Sequence, residues 1–422
     1  MGTPASERRP PLATGTVYAL MVVLLVAAGL RLYRLPALPV GLHYDEAANG
    51  ILAGEIAAGL KHPVFIPSYT GKEVLFFYWA ALWMRLLGST PFTLRLSAAL
   101  LGLLTVAATV WAAGELLGGP SPDAAPVALT TGAFLATSFW HLLLSRYGFR
   151  AVAQPLLQAL TVSALWRGLR HSSRRWLVVA GLFCGLTAYT YLAARAFPIP
   201  LAAALLVGEE RFRAGHGRQR IAAVALFLLV AALTISPLAH YWLTHPGSFL
   251  ARARQVAAGD WEAAWRGVRA CLGMFFLEGD PYIRFNLPGR PLLDPLTALL
   301  ALVGLFHLLT GPLPAPTRAF LLIYLPTMLL PSALATGEIT PSNLRAVGLL
   351  PFLYLLPALG LRRLLGGRAR LTGVVGLLYA LSLALPTADA YFRRWATSAD
   401  LYYAADGDLA AVAAYLNAND LT

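Results

Sequence analysis

The sequence predicts an all-α integral membrane protein, a multispan bundle of about 11 membrane-crossing helices with interfacial or re-entrant helices in its first outer loop. Three observations carry this reading. Hydrophobic residues make up 58% of the 422-residue chain and charged ones 13%, with a mean hydropathy of +0.63, a balance suited to lipid and not to water. Uncharged runs long enough to cross roughly 30 Å of hydrocarbon recur along the chain. Short Arg-rich segments separate them, as expected of loops held in the cytoplasm. A soluble enzyme and a disordered chain are excluded, and so is a disulfide scaffold, because Cys184 and Cys271 make at most one bridge. The formal net charge of +13 comes from 31 Arg and two Lys against 20 acids. In a membrane chain that excess points to a lipid headgroup surface or an anionic substrate, and nucleic acid is not expected.

The runs are residues 12–30, 96–114, 124–145, 151–166, 176–194, 196–208, 221–240, 295–316, 319–337, 346–361 and 371–388. The run at 196–208 is short and contains Pro198 and Pro200. A further run at 74–84 ends at Arg85, a length that fits a segment dipping into or lying on one leaflet. Arg8 and Arg9, and the segments 167–175, 211–220 and 362–370, carry the basic charge. If the first two are both cytoplasmic, an even number of spans lies between them, so 74–84 does not cross. The N-terminus is then cytoplasmic and the C-terminus extracytoplasmic in a multi-pass plasma membrane protein, with the first span an uncleaved signal anchor. The chain divides into a transmembrane domain at 1–388, with outer loops at 31–95 and 241–294, and an extracytoplasmic tail at 389–422. No internal repeat or low-complexity stretch is present.

The first outer loop contains Gly41-Leu42-His43-Tyr44-Asp45-Glu46-Ala47-Ala48-Asn49-Gly50. Adjacent acids at a membrane edge without a basic neighbour in sequence need a cause. One cause is helix capping, with Asp45 as the cap of a helix over 46–60 and Glu46 in its first turn. That helix puts Ile51, Leu52, Ile56 and Leu60 on one side, a pattern suited to an interfacial helix. The other cause is chemistry, and the two are compatible. Further along come Gly71-Lys72-Glu73-Val74-Leu75-Phe76-Phe77-Tyr78-Trp79, then Gly88, then Arg95-Leu96-Ser97-Ala98-Ala99-Leu100 leading into the next span.

In this order of motifs the chain resembles the protein O-mannosyltransferase and aminoarabinose transferase group of GT-C glycosyltransferases. The resemblance runs over most of the chain and is strongest in the first 200 residues. It implies a GT-C-type bundle that takes a sugar from a polyprenyl-phosphate-linked donor and transfers it on the outer face. It also implies Asp45 as the catalytic carboxylate, Glu46 as its neighbour and Lys72 as a ligand of the donor phosphate. The chain departs from the group's pattern twice. It reads Lys72-Glu73-Val74-Leu75 where many relatives have Lys-Pro-Pro-Leu, and no acid follows its Arg-rich turn at Ser145-Arg146-Tyr147-Gly148-Phe149-Arg150. No cofactor is firmly implied, and metal use is left open because hard divalent cations favour several oxygen ligands.

The residues support a site independently of the resemblance. A lipid phosphate rests at headgroup depth and calls for fixed cations, and Lys72, Arg146, Arg150, Arg195, Arg284 and Arg345 fall on or near the outer face. Arginine also snorkels at helix ends. Arg195 stands out at a break between two apolar runs, in Tyr189-Thr190-Tyr191-Leu192-Ala193-Ala194-Arg195. His43, Tyr44, Tyr191 and Arg284 are candidates to line the sugar or acceptor. The expected reaction is direct displacement with inversion, Asp45 taking the acceptor hydroxyl's proton while cations hold the departing phosphate. The stretch Arg252, Arg254, Trp261, Trp265, Arg266, Arg269, Phe275 and Phe276 reads as a helix at the headgroups. Two other readings stay open: a transporter or flippase of a lipid-linked or anionic solute, and a scaffold subunit without activity. The acceptor, whether protein, lipid or cell-wall glycan, is not specified.

Overall fold

Lipid offers the backbone no hydrogen-bond partner, so a chain this apolar satisfies itself in helices. The structure, a computed structural model, describes residues 14–68, 71–119, 121–208, 217–257 and 259–419. Arg8, Arg9, Arg211 and Arg213 lie outside the described residues. Among the described residues, five segments are long and apolar enough to cross a membrane. They are Thr14–Leu32, Pro91–Leu116, Gly217–Thr244, Val347–Leu364 and Ala369–Trp395.

Helix α1 (Thr14–Leu32) is followed by α2 (Tyr44–Ala57), a hairpin of β1 (Phe65–Ile66) and β2 (Lys72–Glu73), and α3 (Leu75–Leu87). Helix α3 has 13 residues, in keeping with the short run before Arg85. Then come α4 (Pro91–Leu116), α5 (Ala124–Thr137), α6 (Phe139–Leu144), α7 (Ala153–Arg170), α8 (Arg174–Thr187), α9 (Pro198–Val207) and α10 (Gly217–Thr244). The segments α11 (Ala251–Val256) and α12 (Trp261–Gly273) precede α13 (Pro295–Thr310), α14 (Ala315–Ala333), α15 (Leu350–Leu353), α16 (Leu355–Leu364) and α17 (Ala369–Asp389). The chain closes with a π-helical turn at Ala390–Trp395, α18 (Ala399–Ala404) and α19 (Gly407–Ala418).

Several expected runs are interrupted for local reasons. The run at 124–145 breaks at Ser138, whose backbone is extended and whose hydroxyl accepts the His141 N–H, so a second helix starts there. The run at 346–361 splits into a 3₁₀ turn and two short helices, with Pro351 in the first turn of α15. Cys184 and Cys271 are both free. The expected helix to residue 60 stops at Ala57, and its apolar side divides: Leu52 and Ile56 are buried, Ile51 is exposed, and Leu60 lies exposed beyond the helix end.

Helix α4 is the spine, packing on α1, α3, α5 and α7, while α7 leads through α8 to α10, and α5 meets α17. Near its start Arg95 is buried against Glu46, and near its end Glu115 is buried against Arg167 and Arg170. At 1.5 Å per residue these two ion-pair clusters are roughly 30 Å apart, one hydrocarbon thickness. Helices α13 and α16 touch backbone to backbone: a Cβ on Gly304 would lie 1.8 Å from the Leu356 carbonyl oxygen, and one on Gly360 1.9 Å from that of Leu300. The contact therefore requires glycine at both positions.

Gly304→Ala is expected to destabilise the detergent-solubilised protein by about 1–3 kcal/mol through overpacking. Gly29→Ala, in a helical position with nothing within 4 Å of the new Cβ, should be neutral or stabilising. Thermal unfolding of both variants beside the wild type checks the contrast.

Candidate active site

The two adjacent acids have different surroundings because consecutive helix residues are rotated by roughly 100° about the axis. Glu46 faces α4. Its side chain is 0% exposed, takes Arg95 Nε at 3.0 Å on Oε1 and Arg95 Nη2 at 3.0 Å on Oε2, and accepts the Gly148 N–H at 2.9 Å. Arg95 also donates to the carbonyls of Pro39 and Gly41, so this pair ties the entry of α2 to the start of α4. Asp45 faces a cavity and keeps its side chain 31% exposed. Asn49, one turn on, shares that face.

Asp45 is not the cap that the sequence suggested. The cap is His43, whose Nδ1 accepts the Asp45 N–H at 3.0 Å. Burial, and then Arg284, push His43 down to about 4 against the opposing carboxylates Asp45, Asp406 and Glu46. The imidazole is thus neutral at physiological pH, which fits a ring nitrogen used as an acceptor. The Asp45 carboxylate itself accepts Arg284 Nη2 at 3.1 Å on Oδ2. Arg284 is enclosed by the rings of Tyr44, Phe149, Tyr282 and Phe285, each centroid within 6 Å of its guanidinium carbon.

The hairpin supplies the next groups. Phe65 pairs with Glu73 and Ile66 with Lys72, and Gly71 at φ +88° lets the chain turn where a Cβ would meet the Phe65 ring at 2.8 Å. Lys72 Nζ donates to Asn49 Oδ1 at 2.8 Å, and Asn49 Nδ2 donates to the Gly148 carbonyl at 2.8 Å. Burial first, and Arg150 second, push Lys72 down to about 8, with Asp45 pulling the other way. Glu73 is buried and bridges two guanidinium groups, Arg150 at 3.1 Å and Arg195 at 3.0 Å. The Arg-rich turn that lacks its own acid thus meets an acid from the hairpin. Arg195 also donates to the Phe249 carbonyl, stacks on Trp242 and Phe249, and has a buried Nε with no partner among the described residues.

These elements enclose a cavity of about 990 Å³. Tyr44, Asp45, Lys72, Arg150, Tyr191, Arg195, Arg284 and Arg345 all line it. Glu46, His43 and Arg146 do not. Glu46 is committed to Arg95, and His43 lies behind the helix start. Arg146 is fully buried, donating to the carbonyls of Leu30, Arg31 and Leu38 and lying over the rings of Tyr391 and Phe392. It holds the end of α1 and does not reach the cavity. Arg345 is ion-paired with Glu338, which also pairs with Arg252 at 2.8 Å.

Sequence reasoning missed Asn49, Glu73, Glu338 and the carboxylate of Asp280 as parts of this site, and placed Arg252 at the headgroups instead. Asp280 is buried in the cavity wall, accepts the N–H groups of Tyr282 and Asn343 at 2.8 Å each, and is pushed up to about 6 by burial. One signal was available: Glu73 beside Lys72 in a hairpin next to a span is a charge that needs a partner. Among the described residues, no group of three or more His, Cys, Asp or Glu converges as a metal site would require.

No protein-family model matches the chain, and no curated protein matches it. Solved structures do. ArnT from Cupriavidus metallidurans bound to undecaprenyl phosphate is similar with a TM-score of 0.57 at 16% identity, over 93% of this chain and 76% of that one. The archaeal oligosaccharyltransferase AglB from Archaeoglobus fulgidus, in complex with an inhibitory peptide and a dolichol-phosphate, is similar at 0.56 and 15%, over 94% and 56%. The Archaeoglobus fulgidus oligosaccharyltransferase in complex with Zn and sulfate gives 0.58 and 17%, over 88% and 52%. The chain spans about half the length of that oligosaccharyltransferase. The likeness establishes the fold: this is a multi-pass membrane protein with the GT-C architecture.

The two acids should respond differently to substitution. Glu46→Ala leaves Arg95 buried without its counter-charge and should cost about 3–5 kcal/mol, whereas Asp45→Asn, at a part-exposed pair, should cost under about 1 kcal/mol; thermal unfolding in detergent reads both. The chain has only two lysines, Lys61 and Lys72, so amine labelling followed by mass spectrometry can resolve each. Lys72 should become reactive with a midpoint near pH 8. Its folded value lies below the unfolded one, so the unfolded state binds more protons between them, and this group's contribution to stability rises with pH through that window. A midpoint at the ordinary lysine value of about 10.4 would remove the burial and the Arg150 neighbour as causes.

Proposed function

We propose that this chain is a membrane glycosyltransferase that takes a sugar from a polyprenyl-phosphate-linked donor and transfers it, with inversion, to an acceptor hydroxyl on the extracytoplasmic face. The observation that carries the reading is the convergence, in one cavity of a GT-C fold, of a part-exposed carboxylate with Lys72, Arg150, Arg195, Arg284 and Arg345. ArnT is described with undecaprenyl phosphate and AglB with a dolichol-phosphate, which supports a lipid-linked donor here.

In this mechanism Asp45 takes the proton of the acceptor hydroxyl as its oxygen attacks the anomeric carbon. Arg284 fixes the carboxylate and leaves its other oxygen to face the cavity. The bond from the anomeric carbon to the phosphate oxygen breaks, and charge gathers on the phosphate, where Lys72, Arg150 and Arg195 meet it. Because Glu73 already holds both arginines in place, little reorganisation is needed as that charge develops. Arg284 binds Asp45 and donates to the Tyr282 hydroxyl, and the Asp280–Arg284 stretch of the cavity wall suits the acceptor side. Arg345 completes the cationic lining.

The same reading orients the molecule with its cavity outward, the N-terminus and the 167–175 loop in the cytoplasm, and the segment after Asp389 outside. Helix α12 then lies at the outer headgroups. Gly267 and Cys271 are buried, with Gly267 against α14, while Trp261 and Trp265 face away beside Arg266 and Arg269.

The test uses full-length protein in nanodiscs. Asp45→Asn should bind undecaprenyl phosphate within about twofold of wild type and lose transfer from undecaprenyl-phosphate-linked sugars by at least about 100-fold. Arg150→Ala should weaken undecaprenyl phosphate binding by about tenfold, the loss of a charge-assisted hydrogen bond. Undiminished transfer by the Asn variant would rule out Asp45 as the base, and solute uptake into vesicles without a new glycosidic bond would make the protein a transporter.

A further inference from the structure

The segment after α17 is bound to both halves of the Asp45–Arg284 pair. At one half, Asp406 Oδ2 accepts the N–H of Tyr44 at 2.8 Å, across 362 residues of sequence. Tyr44 is the first residue of α2, and Asp45 follows it. Asp406 itself precedes α19 in the capping position, yet its side chain makes no capping bond to that helix. Its backbone is held at φ +54°, a conformation that costs a non-glycine residue free energy and persists only where surroundings impose it. The carboxylate thus leaves its own helix uncapped and serves the start of α2 instead. His43 takes the next N–H, that of Asp45, so two consecutive donors of the first turn are satisfied from outside the helix. The tail backbone also abuts this loop, since a Cβ on Gly41 would lie 2.4 Å from the Ala405 carbonyl oxygen.

At the other half, Trp395 donates its indole N–H to the Ile283 carbonyl at 2.6 Å, one residue before Arg284. Trp395 is fully buried, with the Tyr391 ring 4.9 Å away and that of Tyr147 6.0 Å away. Two hydrogen bonds from one short stretch of chain therefore set the backbone on either side of a 3.1 Å ion pair. Among the described residues, no hydrogen bond from the tail reaches Glu73, Arg150 or Arg195 on the cationic side of the cavity.

We infer that residues 391–407 are a positioning element for the reacting carboxylate, in which Asp406 fixes the start of α2 and Trp395 fixes the Arg284 loop. Neither residue touches the cavity, so both act through the Asp45–Arg284 pair. This rests on the proposed role of Asp45, but the placement of Asp45 can be read without activity.

The experiment compares Asp406→Ala, Asp406→Asn and wild type as full-length protein in nanodiscs. Hydrogen–deuterium exchange should speed up at least tenfold for amides 44–47 in the Ala variant, with amides 71–73 unchanged. The Asn variant, whose amide oxygen can accept the same bond and whose residue type tolerates positive φ, should restore slow exchange. Undecaprenyl phosphate affinity should stay within twofold in all three, while transfer by the Ala variant falls about tenfold in kcat at constant donor KM and recovers in the Asn variant. Unchanged exchange at 44–47 in the Ala variant overturns the inference. So does a parallel loss of undecaprenyl phosphate affinity, which would mark Asp406 as generally structural. If wild type transfers no sugar, the proposed function fails, and the exchange data still decide whether Asp406 positions Asp45.

Discussion

A charge placed near hydrocarbon must be met by a partner, and the Glu46–Arg95 pair is where this chain meets that demand first. Both side chains are withdrawn from solvent, and both also bond to backbone: Glu46 to the Gly148 N–H, Arg95 to the carbonyls of Pro39 and Gly41. A buried pair of this kind adds little net stability over an apolar contact, but breaking it is expensive, so it specifies geometry. With Glu46 fixed against α4, the helix has one rotation available. That rotation turns Asp45 and Asn49 toward the cavity, and Asn49 in turn receives Lys72.

The same demand shapes the cavity wall. Two carboxylates are each bridged by two arginines, Glu73 by Arg150 and Arg195, and Glu338 by Arg252 and Arg345. Each triad keeps one net positive charge and holds its guanidinium groups in a fixed direction. Flexible lysines at these positions would keep the charge and lose the direction, because the planar fork is what lets Arg engage a carboxylate and still present other N–H groups. Placing one acid against two arginines therefore trades total charge for preorganisation, the more useful quantity where charge moves during a reaction.

How much of this was legible in the sequence depended on whether the signal was local. The all-helical membrane fold followed from hydropathy, and the short α3 followed from Arg85 interrupting an apolar run. Asp45 stood out because adjacent acids in a mostly apolar chain need a cause, Lys72 was singled out through the resemblance, and both line the cavity. The span breaks at Ser138 and around Pro351 were missed because hydropathy does not register a cap or a proline inside an apolar run. Arg146 and Arg150 sit in one turn and look equivalent on paper, yet one binds the carbonyls that end α1 and the other meets Glu73. That difference is set by elements more than 70 residues away in sequence. Glu338 and Asp280 were hidden for the same reason, as was the role of Asp406, since no local pattern says which helix an aspartate will cap.

The two ion-pair clusters on α4 give the site its depth. Glu115 with Arg167 and Arg170 closes the end of the helix beside the Arg-rich 167–175 loop, and Arg95 with Glu46 closes the other. Charges that must avoid hydrocarbon are stable at its two boundaries, and their spacing of roughly one hydrocarbon thickness fits that requirement. Asp45 adjoins Glu46 in sequence, so the proposed function puts the cavity carboxylate at the boundary that the Arg95 cluster marks. A prenyl-linked phosphate is confined to that same boundary by its own chemistry, with the chain in lipid and the charge at the surface. Under the proposed function, the bilayer therefore performs part of the substrate alignment: it fixes the donor's depth, leaving the protein to supply the lateral and angular placement through its arginines.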